Sequence, residues 1–265
     1  MRCWRALPGK MLLAAMTFSG ALGVAPAQQA HAMDLKGELQ RLGEAALALE
    51  HNLPNFTCQE KAVSRALKGK KVTWSTQFAG TLRAQRTTVG TLDEFFVPNE
   101  VNGKPFTTGA IHYPVMISGG FDKAMRYFAP AQQVCYRYAL SPGRIDFAAI
   151  NDPPGQPQCK EKDLQGFALL DAEGNVTRVD RHVAPRAALA NHEATNAVVD
   201  FAAVTLNARP YRLAQHLYAE MPVNHHPTTF TADYTDCKLF TATVTLHTAP
   251  DAAADPNAPP ETLPH

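Results

Sequence analysis

Neither sign of charge dominates this chain: 25 Lys and Arg stand against 24 Asp and Glu, a formal net of +1. Without a basic excess there is no electrostatic footprint for nucleic acid, and no polynucleotide partner is expected. Charged residues are scarce overall, at 18% against a hydrophobic share of 45%, which excludes an intrinsically disordered chain. No apolar run reaches the roughly 20 residues of a membrane-spanning helix. The chain also lacks G-x-S-x-G, H-E-x-x-H, a P-loop and G-x-G-x-x-G. What is left is a near-neutral, globular and β-rich protein whose composition names no reaction.

The first segment with a legible role is the N-terminus. Arg2, Arg5 and Lys10 precede the uncharged run Met11–Ala25, and small residues follow at Ala25-Pro26-Ala27 and Ala30-His31-Ala32. A basic stretch, a short apolar stretch and small residues in that order read as a secretory signal peptide over residues 1–32. Cleavage is expected after Ala32, with Ala27 as the second site. The run of about 15 residues is short for a retained anchor. The expected compartment is periplasmic or extracellular. Loss of the leader removes three cations and no anion, which takes 25 cationic side chains to 22 against 24 anionic ones.

Four cysteines follow the leader: Cys58, Cys135, Cys159 and Cys237. In an exported chain an even number of cysteines reads as disulfides, and four allow three pairings. Tyr136–Ile150 and the Pro-rich stretch after it read as a strand, a turn and a return, which favours Cys135–Cys159. Cys58–Cys237 would then tie the start of the folded chain to its end and restrict the unfolded chain by about 4–5 kcal/mol. No pair has C-x₂₋₄-C spacing, so neither a zinc site nor a redox pair is expected.

Hydrophobic periodicity divides the remainder. Leu35, Leu39, Leu42, Ala46, Leu49 and Leu53 form one helical stripe over residues 34–53, with Asp34 placed to cap it and Pro54 to end it. Beyond it the period changes to two. Strands are expected from Phe56 to Val63, over 71–88, from Leu92 to Val97, around Tyr136, over 144–150, in the hairpin 164–183, and over 197–206, 211–218 and 228–246. Phe121, Met125 and Phe128 predict a short helix over 118–129, ended by Pro130. The tail 247–265 holds five Pro and five Ala and reads as disordered. Residues 33–246 therefore read as a single domain of α+β class, mainly antiparallel β.

Side chains able to do chemistry are dispersed. His182, His192 and His216 fall on different elements, and neighbouring His225 and His226 would point to opposite faces of a strand. Asp122, Asp146, Asp163, Asp171 and Asp180 suggest no acid–base pair by spacing. Asn55-Phe-Thr and Asn175-Val-Thr match the glycosylation sequon, a short pattern that arises easily by chance. No catalytic residue, metal site or cofactor is expected. A distribution carries more information: Trp74, Phe78, Phe95, Phe96, Phe106, Tyr113, Phe121, Tyr127 and Phe128 load the first half with large rings. Such groups either fill a core or line an apolar cavity.

The order of these elements resembles the periplasmic LolA-like superfamily, which includes lipoprotein carriers and the lipoprotein-sensing domain of the RseB/MucB regulators. The resemblance is carried by the leader, the helix ending at Leu53-Pro54-Asn55-Phe56, the long antiparallel strands and the short helical segment. The hairpin Leu164-Gln-Gly-Phe-Ala-Leu-Leu-Asp-Ala-Glu-Gly-Asn-Val-Thr-Arg-Val-Asp-Arg completes it. It implies an unclosed β-barrel whose concave face is covered by the N-terminal helix and a short helical plug. It also implies a non-enzymatic envelope protein that holds a lipid, a lipoprotein acyl chain or another apolar ligand, with a peripheral envelope protein as a further partner. On that architecture the ligand-binding residues are Trp74, Phe78, Phe121, Met125 and Phe128, by strand parity and helical spacing. The four cysteines and the Pro/Ala tail depart from the family pattern, and no residue matches the arginine of the carriers' release cycle. An exported hydrolase and a purely structural domain with a filled interior are the alternatives.

Overall fold

The computed structural model describes residues 34–240 except 89, 118–120, 122, 186–193 and 224–225. The expected leader and tail, His192, His225 and residues 241–246 of the last predicted strand lie outside that set.

Helix α1 spans Leu35–Asn52, and the Asp34 side chain accepts hydrogen bonds from the Lys36 and Gly37 backbone amides. Its inward stripe buries Leu42, Ala46 and Leu49, with Leu53 just beyond. The guanidinium of Arg86 takes up carbonyls at its C-terminal end, donating to Leu53 at 2.9 Å and to Leu49 at 3.3 Å. Those carbonyls have no partner within the helix.

Strands follow in an antiparallel run: β1 (Phe56–Lys68), β2 (Lys71–Arg86), β3 (Leu92–Val101) and β4 (Lys104–Pro105). The turn between the last two is Asn102-Gly103, both at positive φ, as a tight hairpin turn requires. A second run comprises β5 (Tyr136–Ser141), β6 (Arg144–Ala149), β7 (Leu164–Leu170), β8 (Val176–Val183), β9 (Asn196–Leu206), β10 (Arg209–Val223) and β11 (His226–Leu239). Pairing of β1 with β11 joins the two runs into one eleven-stranded sheet, ordered β4-β3-β2-β1-β11-β10-β9-β8-β7-β6-β5. The sheet curves but does not close, because β4 and β5 remain its two edges.

Residues of one parity face the concave side. On β2 these are Thr76, Phe78, Leu82 and Ala84, all buried, and on β1 they are Phe56, Cys58, Glu60, Ala62 and Ser64. Disulfides join Cys58 to Cys237 across the β1–β11 seam and Cys135 to Cys159.

The segment 118–129 differs from the expected helix. Among its described residues only Arg126–Phe128 is helical, as a single 3-10 turn. Pro130 does not terminate a helix but begins one, α2 (Pro130–Gln133). Its missing N–H costs nothing at the first helical position, where that group has no partner in any case. The plug is therefore a string of turns. Gly43 lets α1 approach it, since a Cβ there would press on Pro130, Gln133 and the Phe128 carbonyl. Gln133 ties the two together by donating to the carbonyls of Leu39 at 2.9 Å and Phe128 at 2.8 Å.

Candidate ligand-binding site

The concave interior is largely filled. Phe121 packs edge-on against Phe56 at 5.2 Å and Tyr234 at 4.9 Å between ring centres. Phe128 meets Phe147 at 5.5 Å and Tyr138 at 6.1 Å. Phe78 stands among Phe96, Tyr113 and Phe230. These three rings and Met125 are buried. Trp74 shares the parity of Phe78 but is not brought to the others: it sits near the start of β2, 46% exposed, beyond the part of the sheet that the plug covers. It lines a shallow hollow of about 420 Å³ with Leu67, Pro114, Val223 and His226.

Open space beside α1 lies on the helix flank. A cavity of about 740 Å³ runs between α1, the start of β8 and the start of β10. That volume is within the roughly 300–1,000 Å³ of small-molecule sites. Leu42, Ala45, Leu49, Met125 and Val176 give it an apolar lining, and Tyr211 adds a ring. Three guanidinium groups, Arg41, Arg209 and Arg212, stand around it. Of the five residues proposed from sequence, Met125 alone reaches this groove. The arginines were not singled out, because they are distant in the chain and follow no motif.

One contact fixes the helix, and another fixes β10, to the hairpin tip that bounds the groove. Arg41 donates to the Glu38 carboxylate and to the Gly174 carbonyl. Arg212 donates to Asp171, whose Oδ1 also accepts the Glu173 amide at 3.1 Å and the Asn175 amide at 2.7 Å. Burial works to raise the Asp171 carboxyl, but the hydrogen bonds from Asn175 and the Arg212 guanidinium outweigh it and hold it below the ordinary range. Arg41 and Arg212 are thus held in place, and Arg209, the first residue of β10, is exposed at the mouth.

A second cavity, of about 680 Å³, borders the Cys135–Cys159 disulfide. Glu161 bridges its wall, accepting from Arg126 and from the Tyr136 hydroxyl. Burial first, and then the Glu161 carboxylate, push the Tyr136 phenol above its usual range, so it stays a hydrogen-bond donor. Leu47, Ala129, Pro130 and the disulfide give it apolar walls, and charges of both signs, Lys123, Lys160 and Glu161, stand among them, whereas the groove beside α1 gathers guanidinium groups alone as its charges.

Among the described residues no group of three or more His, Cys, Asp or Glu could hold a metal ion. His216 and Asp233 contact at 2.7 Å across β10 and β11, beside buried Leu217 and therefore on the outer face of the sheet. No helix among the described residues is long and apolar enough to cross a membrane.

No protein-family model matches this chain, and no curated protein matches it in sequence. Solved structures resemble it in shape. An outer-membrane lipoprotein-sorting protein domain from Vibrio parahaemolyticus is 10% identical, over 80% of this chain and 95% of that one, with a TM-score of 0.43. A DUF1329 family protein from Desulfovibrio piger is 10% identical, over 78% and 95%, at a TM-score of 0.37. A LolA superfamily protein from Nitrosomonas europaea is 9% identical, over 77% and 94%, at 0.31.

Proposed function

We propose that the protein is exported and acts without catalysis, binding a lipid or lipoprotein acyl chain in the groove between α1 and the β7–β8 and β9–β10 hairpins. The observation that carries this reading is the composition of that groove. Its lining of Leu42, Leu49, Met125 and Val176 suits a hydrocarbon chain, and the guanidinium groups of Arg41, Arg209 and Arg212 suit its polar end. Export is supported by the leader-like N-terminus and the two disulfides, which persist in oxidising compartments. In this reading Met125 is the plug residue that touches the ligand, and Phe78, Phe121 and Phe128 belong to the packed core outside the groove's lining.

Ala48 lies on the groove's helical side and is exposed, so Ala48→Trp fills the space without disturbing the buried stripe. Protein purified from the envelope without detergent and examined by native mass spectrometry should carry lipid. It should also take up a fluorescent fatty acid, and the Ala48→Trp variant should do neither. A wild-type protein free of lipid that takes up no fatty acid overturns the reading.

A further inference from the structure

The opposite end of β10 from the groove carries a surface of different chemistry. There the β1–β2 hairpin tip, the crossing segment near Pro114 and the β10–β11 ends come together. Ala66 is opposite Thr228 in the β1–β11 ladder, Thr76 donates to the His112 carbonyl at 2.9 Å, and the Val115 amide donates to Ser64 at 2.9 Å. Three large apolar groups are left outside at this end: Val72 at 45%, Trp74 at 46% and Tyr113 at 38% exposure. Lys68, Lys70 and Lys71 surround the turn beside them and are all exposed.

Charge is divided in a way that the balanced total conceals. The chain has 24 acidic side chains, yet residues 61–92, 101–121 and 221–232 contain none. These are the stretches that supply the hairpin tip, the crossing segment and the β10–β11 ends. The nearest acid along β10, Glu220, is occupied by Tyr218 at 2.6 Å and Asn196 at 2.6 Å. The end is thus cationic and aromatic with no carboxylate of its own to pair with.

We propose that this end of the sheet docks on the surface of an anionic lipid bilayer. Trp74, Val72 and Tyr113 enter the headgroup region, where amphipathic rings are favoured, and the three lysines face acidic headgroups. Charge complementarity selects the bilayer: a neutral apolar partner would leave the lysines unmatched, and a polyanion without an apolar layer would leave Trp74 and Val72 in water. The surface is independent of the groove, since the two occupy opposite ends of β10. Docked this way, the groove mouth at Arg209 points away from the membrane.

The chain has two tryptophans, Trp4 and Trp74, and Trp4 lies in the expected leader, so Trp74 is the sole reporter in the exported protein. That protein is titrated with phosphatidylcholine vesicles with and without phosphatidylglycerol. The expected result is a blue shift of Trp74 emission with phosphatidylglycerol only, reversed by high salt as exposed charges are screened. Replacing Lys68, Lys70 and Lys71 together by Gln, or by Glu, should weaken binding by about tenfold or more, with unchanged far-ultraviolet circular dichroism. An unshifted emission with both vesicles overturns the proposal. So does an equal shift on neutral vesicles, or equal binding by the lysine variants. Salt-sensitive binding to a DNA oligomer as tight as to the vesicles, without a shift, also overturns it, because the surface would then be a general anion patch.

Discussion

Cys58 and Cys237 face each other where the first and last strands of the sheet meet, with Cα atoms 4.1 Å apart. The ladder passes from Thr57↔Lys238 to Gln59↔Thr235, so one residue of β1 is set against two of β11. Asp236 takes the positive φ that such a bulge needs. The bridge therefore sits at the one irregularity in the seam between the two halves of the sheet.

That position predicts an order of stabilities. Cys58–Cys237 closes a loop of 179 residues and Cys135–Cys159 one of 24. On the chain-entropy model these restrict the unfolded chain by about 5 and about 3.5 kcal/mol. Urea unfolding of Cys58→Ala/Cys237→Ala should accordingly show a larger loss than Cys135→Ala/Cys159→Ala. The reverse order would mean that native contacts, not chain closure, govern what each bridge contributes.

Phe128 tests whether the plug is core. It is fully buried against Phe147 and Tyr138. Phe128→Ala should cost about 3–5 kcal/mol, because rings fixed in a sheet cannot collapse into the space. A loss below about 1 kcal/mol would show that the interior is already open to water or ligand at this point.

Much of this architecture was legible in the sequence, and the exceptions share a cause. The stripe Leu42–Ala46–Leu49 is a local pattern, and the structure realises it. Pro130 was misread because proline forbids the continuation of a helix and favours its start, and only tertiary packing decides between the two. Trp74 shares the parity of Phe78, but burial depends on what lies above a residue, and the described residues of the plug do not reach the beginning of that strand. The groove was invisible for the same reason. Arg41, Val176 and Arg209 come from three distant segments, and their meeting is a product of strand order.

Gly166 supplies a prediction within the hairpin 164–181. It pairs with Phe147 on one side and Arg181 on the other, and the Phe147 ring lies over it. A methyl group there would overlap both that ring and the Asp180 carbonyl. Gly166→Ala should lower stability by roughly 1–3 kcal/mol despite its higher strand propensity, as overpacking generally does. A melting temperature equal to or above that of the wild type would show that β7 and β8 can separate without loss.

Glu60 gives the interior a pH dependence. It is buried on the concave face of β1, and burial first, then the Glu94 carboxylate, push its carboxyl up to about 7 from an ordinary 4.5. Glu94 itself accepts the Phe121 amide at 3.2 Å, and the Tyr234 phenol, raised by burial and by both carboxyls, completes the surroundings. The sign follows from the proton count. Between pH 4.5 and about 7 the folded state keeps a proton that the unfolded state has released, so stability falls as pH rises through this window. The contribution is full below 4.5 and is lost above about 7, a change on the order of 3 kcal/mol. Urea midpoints of the wild-type protein should therefore decline from pH 5 to pH 8, and Glu60→Gln, which cannot ionise, should flatten that decline. If the two proteins show parallel pH profiles, Glu60 does not titrate in this window, and its carboxylate must be stabilised within the interior despite Glu94.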